Sequence, residues 1–108
     1  MTVQEYLSDP ERDSFVLLDV RRSEERLYGR YVTGSLHIPM EEILGSVDPG
    51  FKPDTPIVVL CERGGRAEIV VNFLRAKAYT GVFKLEGGYV KLSPYVQETE
   101  LPPLPVGE

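Results

Sequence analysis

The apolar residues of this chain fall into short unbroken runs, separated by polar stretches with helical periodicity. The two clearest runs are "FVLLDV" at residues 15–20 and "IVVLC" at residues 57–61. Runs without alternation are typical of strands that are buried on both faces of a parallel sheet. Two weaker runs, "SLHI" at 35–38 and "VFKL" at 82–85, predict two further strands.

The stretches between these runs predict helices. The longest is "RAEIVVNFLRAKA" at residues 66–78, where apolar side chains recur at helical spacing at Ile69, Val70, Phe73 and Leu74. Shorter helices are predicted in "TVQEYL", with Thr2 as the N-cap, and in "SEERL" and "MEEIL". Because strands alternate with helices, we expect an α/β sandwich with a parallel central sheet.

The length of the chain fits one domain. Its 108 residues can bury a single core, so we expect residues 1–108 to form one domain. The hydrophobic fraction of 42% and the charged fraction of 27% are ordinary for a globular protein. Residues 93–108 contain four prolines, which predicts an extended C-terminal tail.

Charge and targeting signals restrict the partners and the location. The net charge is −5 and no cluster of lysine or arginine stands out, which argues against nucleic acid and anionic membranes as partners. The apolar runs are too short to span a bilayer, and the first residues lack the pattern of a secretory signal. A single cysteine cannot form an internal disulfide, which fits a reducing compartment. We therefore expect a cytoplasmic protein.

The sequence "LCERGGRAE", which holds this cysteine, predicts an anion-binding loop. Cys61 ends a predicted strand, and ligands of parallel sheets bind at the carboxyl ends of strands. The following helix has Gly64 or Gly65 in the position usually taken by a Ser, Thr, Asp or Asn cap. Arg66 places a cation where the helix dipole disfavours one. An anion in the loop explains both features.

The same loop provides groups that favour a thiolate at Cys61. Glycines accept positive φ, so that successive amides can point inward, and Arg63 or Arg66 adds positive charge. These influences predict a nucleophilic cysteine held by hydrogen-bond donors. The alternative is a small buried hydrophobic residue, the commoner role of a lone cysteine on an apolar strand. A phosphate-binding P-loop is disfavoured because its GxxxxGK[ST] pattern is absent.

Polar residues near the other strand ends have weaker signals. Asp19 ends the first strand on the same side as Cys61, where it either orients a loop arginine or, more commonly, caps a turn. Arg21 and Arg22 either extend the anion-binding rim or form ion pairs, and the second role is favoured. His37, before a proline, is interpreted as a hydrogen-bonded structural residue. One cysteine and one histidine do not make a metal-ligand set, so no metal is expected.

Four motifs in order resemble those of a single-domain rhodanese. "LLDVRRSEE" at 17–25 is similar to the family's strand that ends in Asp-Val-Arg, and "GSLHIPMEEI" at 34–43 to its Gly-Ala-x-x-Ile-Pro segment. "VVLCERGGRA" at 58–67 resembles the Cys-x-x-Gly-x-Arg loop, and "FKLEGGYVKL" at 83–92 the closing strand and Glu-Gly-Gly turn. The resemblance implies a three-layer α/β sandwich with a mostly parallel sheet of four or five strands.

The resemblance also implies sulfur transfer. Cys61 would take a sulfane sulfur from a small anionic donor such as thiosulfate and pass it, as a persulfide, to cyanide, a thiol or a protein. The backbone from Glu62 to Arg66, which includes Arg63, Gly64 and Gly65, would hold the persulfide, and Arg66 would bind the donor. Asp19 and Arg21 would support the site. The family needs no cofactor.

Three alternatives stay open beside this implication. One is a persulfide relay module that serves a biosynthetic partner, and another is an inactive scaffold. The third is an oxyanion phosphatase or arsenate reductase, but related proteins of that kind have one more loop residue than the four between Cys61 and Arg66. Compared with the family that the chain resembles, Glu62 stands where many members have a basic or neutral residue, and its carboxylate is expected to weaken attraction for thiosulfate.

Overall fold

The computed structural model describes residues 1–27, 29–45 and 50–100. The strands in this part of the chain are β1 (Val16–Asp19), β2 (Arg30–Val32), β3 (Leu36–His37), β4 (Ile57–Leu60), β5 (Val82–Lys84) and β6 (Glu98–Glu100). The α-helices are α1 (Val3–Ser8), α2 (Ser23–Leu27), α3 (Met40–Leu44), α4 (Gly65–Ala76) and α5 (Gly88–Leu92). Short 3₁₀ turns lie at Arg12–Ser14 and Ser93–Tyr95.

Four of the strands form a parallel sheet in the order β3-β1-β4-β5. The predicted α/β fold with a parallel central sheet is confirmed. The register pairs Asp19 with Leu60, so the carboxyl ends of β1 and β4 lie side by side. The residues that follow these two ends, from Val20 and from Cys61, therefore meet at one edge of the sheet.

Helices cover both faces of the sheet, as expected for three layers. The side chains of alternate residues in β4 point to opposite faces. Ile57 and Val59 pack with α3 and α4, and Val58 and Leu60 pack with α1 and α5. These four side chains are fully buried, which accounts for the unbroken apolar run in the sequence.

The helix that follows the cysteine loop, α4, differs slightly from its prediction. It spans Gly65–Ala76 instead of residues 66–78. Its buried face comprises Ala67, Val70, Val71 and Leu74, whereas Ile69 is 50% exposed, so the predicted apolar face is rotated. No helix in the described ranges is long and apolar enough to cross a membrane.

The described part of the predicted tail, residues 93–100, contains a 3₁₀ turn and a strand. Ser93–Tyr95 forms a 3₁₀ turn, and β6 then pairs with β2 in a small antiparallel sheet that the sequence analysis did not predict. Val32 of this small sheet is buried beside the helices on the α1 and α5 face. The predicted tail residues 101–108 lie outside the described residues.

Helix α5 was not predicted; the family resemblance gave only a Glu-Gly-Gly turn at residues 86–88, where this helix begins. Gly87 and Gly88 both adopt positive φ, of 81° and 63°; Gly87 is the N-cap of the helix and Gly88 is its first residue. The start of α5 lies against the cysteine loop: a Cβ on Gly88 would be 2.7 Å from the Glu62 carbonyl oxygen and closer still to that of Cys61. Only glycine fits at this position.

Replacing Gly88 with alanine is expected to destabilise the fold by more than about 2 kcal/mol, because positive φ and the close carbonyls both oppose a Cβ. Gly65→Ala provides the matched control, since a Cβ there meets no atom within 4 Å and φ is not positive. That variant should change stability by less than about 1 kcal/mol. Urea unfolding of both variants measures the difference, and equal midpoints would contradict the close packing of α5 on the loop.

Candidate active site

Cys61 is the first residue after β4, at the edge where the strands end. Its side chain continues the alternation of Ile57 and Val59 and lies on the α4 face. The residue is only 1% exposed, yet its sulfur has a polar partner, because the Gly64 N–H donates to Sγ over 2.9 Å. The thiol is therefore not a purely apolar core residue.

Gly64 makes this hydrogen bond possible through its backbone conformation. It is the N-cap of α4 with φ 114°, a value that side-chain-bearing residues rarely adopt. The helix start has no side-chain cap, and one of its amides is directed at the cysteine sulfur instead. Gly65, the second predicted glycine, is exposed and does not have positive φ.

Helix α5 holds the other side of the loop. The Tyr89 N–H donates to the Cys61 carbonyl over 2.8 Å, and the Val90 N–H donates to the Glu62 carbonyl over 3.1 Å. In a trans peptide the N–H points opposite to the carbonyl of the same unit. The N–H groups of Glu62 and Arg63 are therefore directed away from α5.

Arg66, predicted to bind an anionic donor, already has an anionic partner. Its guanidinium forms a two-pronged ion pair with Glu25 of α2, in which Nη2 lies 2.8 Å from Oε2 and Nη1 contacts Oε1. The hydrogen bond from Arg66 lowers the pKa of Glu25 to about 2. The hydrogen bond to Glu25 raises the pKa of Arg66, and the charges of Cys61 and Glu62 raise it further. Arg66 thus lies within the electrostatic reach of the cysteine.

Arg21 and Asp19, the predicted supporting residues, form a buried ion pair at the same edge. The Arg21 Nε lies 3.2 Å from both Asp19 carboxylate oxygens, and Nη2 lies 3.1 Å from Oδ2. Asp19 also accepts the Arg21 backbone N–H, so it both caps a turn and holds an arginine. A second carboxylate, that of Glu62, lies 3.7 Å from Arg21 Nη1.

Tyr89 joins this arginine to the small β2–β6 sheet. The Arg21 guanidinium lies 4.0 Å from the centre of the Tyr89 ring, a cation–π contact. The Tyr89 hydroxyl donates to Glu98 of β6, and burial followed by that hydrogen bond raises the Tyr89 pKa to about 12. The phenol therefore stays protonated at neutral pH.

The remaining sequence candidates lie at the margin. Arg63 and Arg22 are exposed, and the Arg22 backbone N–H donates to Glu25 over 2.8 Å. The His37 Nε2 lies 2.8 Å from the Arg21 carbonyl oxygen, which confirms a hydrogen-bonded structural histidine. In the described parts of the chain, no group of three or more His, Cys, Asp or Glu side chains could hold a metal ion.

Three participants were not predicted as site residues: Glu25, Tyr89 and Glu98. Glu25 was predicted only as part of the short helix "SEERL". Its place in the first motif, six residues after the strand end Asp19, was the available signal. Tyr89 and Glu98 reach the site through a helix and a strand pairing that local patterns did not predict.

Replacing Glu25 with glutamine is expected to lower stability at pH 7 by up to about 3 kcal/mol, because the Glu25 pKa falls from 4.5 to about 2 on folding. A carboxylate whose pKa is lower in the folded state than in the unfolded state stabilises the fold above its unfolded pKa. This contribution is lost as the pH falls towards the folded-state pKa. The difference from the native chain should therefore narrow from pH 4.5 towards pH 3. Urea unfolding across this range tests it, with exposed Glu24→Gln as the control; a difference independent of pH would contradict the ion pair.

Comparison with known proteins agrees with this geometry. The family model of the rhodanese-like domain matches residues 2–93. The thiosulfate sulfurtransferase GlpE of Tolumonas auensis is 28% identical over 76 residues, which cover 70% of this chain and 70% of that protein.

Solved structures show the same fold. A rhodanese-related protein from Thermoplasma volcanium superposes with a TM-score of 0.76 at 22% identity, covering 92% of this chain and 95% of that one. A human single-domain sulfurtransferase gives a TM-score of 0.76 at 24% identity, covering 90% of this chain and 96% of that one. With the family match over nearly the whole sequence, these findings show that the chain belongs to the rhodanese-like domain family, a sulfurtransferase-type family.

Proposed function

We propose that this protein is a sulfurtransferase that carries a sulfane sulfur as a persulfide on Cys61. The observation that supports this most directly is the Gly64 N–H, which lies 2.9 Å from the Cys61 sulfur and stabilises negative charge there. The family match and the place of Cys61 at the carboxyl end of β4 support the same role. No cofactor is part of the proposal.

The chemistry requires two displacements at sulfur. The Cys61 thiolate attacks the outer sulfur of the donor, a new S–S bond forms, and the donor's S–S bond breaks with release of the leaving group, which is sulfite for thiosulfate. An acceptor nucleophile, which is cyanide, a thiol or a protein thiol, then attacks the outer sulfur of the persulfide. The Cys61 thiolate leaves and the enzyme is regenerated.

The size of the loop favours sulfur over a larger oxyanion. Four residues separate Cys61 from Arg66, and α5 fixes both the Cys61 and the Glu62 carbonyl. A short loop held on its outer side has little room to widen around a tetrahedral phosphate or arsenate. We therefore favour sulfur transfer over phosphatase and arsenate reductase activity.

Release of the sulfur requires an external acceptor. The sequence contains one cysteine, so no second thiol of this chain can attack the persulfide. A relay between a protein donor and a protein acceptor would use the same loop, and the identity of the acceptor distinguishes it from small-molecule turnover. Cytoplasmic location stays a prediction.

Incubation with a sulfane donor is expected to add one sulfur atom to the native chain and none to Cys61→Ser, as measured by intact mass. Cyanide should remove the added sulfur and yield thiocyanate, and Cys61→Ser should form none above the uncatalysed rate. Sulfur addition to the serine variant, or no addition to the native chain with any donor, would contradict the proposal. Aryl phosphate hydrolysis that depends on Cys61 would favour the phosphatase alternative.

A further inference from the structure

The charges around the cysteine loop restrict which donor it can attract. Arg66 is the loop arginine that was predicted to bind the donor. Its guanidinium nitrogens Nη1 and Nη2 both contact the Glu25 carboxylate. Both partners are about three-quarters buried, with side-chain exposures of 23% and 25%. A donor anion that used Arg66 would have to displace a two-pronged carboxylate, the strongest type of hydrogen-bonded ion pair.

Arg21 is equally occupied. Its side chain is 2% exposed, and it contacts the Asp19 carboxylate, the Arg30 carbonyl oxygen at 2.9 Å and the Tyr89 ring. Glu62, the residue after Cys61, adds a further carboxylate. It lies 3.7 Å from Arg21 Nη1, and its side chain is 30% exposed. No face of Arg21 is turned to solvent where a donor could bind.

The formal charges around the cysteine loop do not favour the binding of a dianion. Three carboxylates, those of Asp19, Glu25 and Glu62, surround the two guanidinium groups of Arg21 and Arg66. This cluster has a net charge of −1, and the exposed charges of the same segments, those of Arg22, Glu24 and Arg63, bring the total only to neutrality. The whole chain carries −5, so thiosulfate gains no attraction from the wider field.

One exposed apolar side chain lies beside the same loop. Val90 of α5 donates its N–H to the Glu62 carbonyl, and its side chain is 49% exposed. A sulfonate group cannot use this surface, whereas an organic group attached to sulfur can bury apolar area against it. The charge and the surface point to the same class of donor.

We infer that the donor for Cys61 is an organic persulfide, RSSH, whose organic group is uncharged, and that Glu62 selects against dianionic thiosulfate. This inference rests on the proposed persulfide at Cys61. The Cys61 thiolate attacks the outer sulfur of RSSH, the S–S bond of the donor breaks, and the thiolate RS⁻ leaves. The outer sulfur keeps its proton, so the product is the Cys61 persulfide and no oxidant or reductant is consumed.

The test compares the loading of Cys61 by thiosulfate and by 2-hydroxyethyl persulfide, followed by rapid quench and intact mass, in the native chain, Glu62→Gln and Glu11→Gln. Glu11 is exposed and precedes β1, at the opposite edge of the sheet, so its substitution removes the same charge away from the site. The two donors differ in intrinsic reactivity. For each donor we therefore compare how each substitution changes the second-order rate constant of loading, and we measure these constants at two ionic strengths.

In the native chain, the second-order constant for thiosulfate should rise with ionic strength, because salt screens repulsion. Glu62→Gln should raise the thiosulfate constant roughly fivefold at low salt, as expected when one charge near a dianion is removed in a largely aqueous setting. Its effect on the persulfide constant should be smaller, and Glu11→Gln should change neither by more than about twofold.

Each other outcome has a distinct meaning. A thiosulfate constant that Glu62→Gln leaves unchanged or lowers, or a persulfide constant that this substitution raises as much as the thiosulfate constant, would overturn the inference while Cys61 stays the sulfur carrier. If neither donor adds sulfur to the native chain, the proposed function itself fails. An equal rise in Glu11→Gln would assign the effect to net charge and would also overturn the role of Glu62.

Discussion

The hydrogen bond from the Gly64 N–H to the Cys61 sulfur connects the two halves of this site. It closes the loop between β4 and α4, and it requires the left-handed backbone that Gly64 adopts. The same contact gives the helix start an acceptor in place of the missing side-chain cap. Helix initiation and the environment of the Cys61 sulfur therefore depend on one interaction, so a side chain at position 64 would disturb both.

The arginines around this contact act as internal counter-ions. Arg21 connects β1 to the Glu62 carboxylate and to the Tyr89 ring, and Arg66 connects α4 to α2 through Glu25. Buried or half-buried ion pairs with several hydrogen bonds are costly to break, because removal of one partner leaves a charge without compensation. The positive charges of Arg21 and Arg66 are thus fixed in place by carboxylates, whereas Arg63 of the same loop is exposed to solvent.

The sequence was sufficient for features that depend on local patterns. The unbroken apolar runs predicted β1 and β4, and the uncapped glycine and arginine loop directed attention to Cys61. It was insufficient where distant segments meet. The β2–β6 pairing joins residues about seventy positions apart, and α5 begins with two positive-φ glycines that resemble a turn. The Glu25–Arg66 pair spans 41 positions, and helical spacing alone gave the wrong exposure for Ile69.

The hydrogen bonds from α5 to the cysteine loop determine at which stage the backbone around the sulfur becomes ordered. The Cys61 and Glu62 carbonyls accept hydrogen bonds from two amides of α5. The conformational entropy of arranging this backbone is therefore lost during folding. In the proposed sulfur transfer the loop would not have to be ordered again when a donor binds, so loosening of α5 would add an ordering cost to that step.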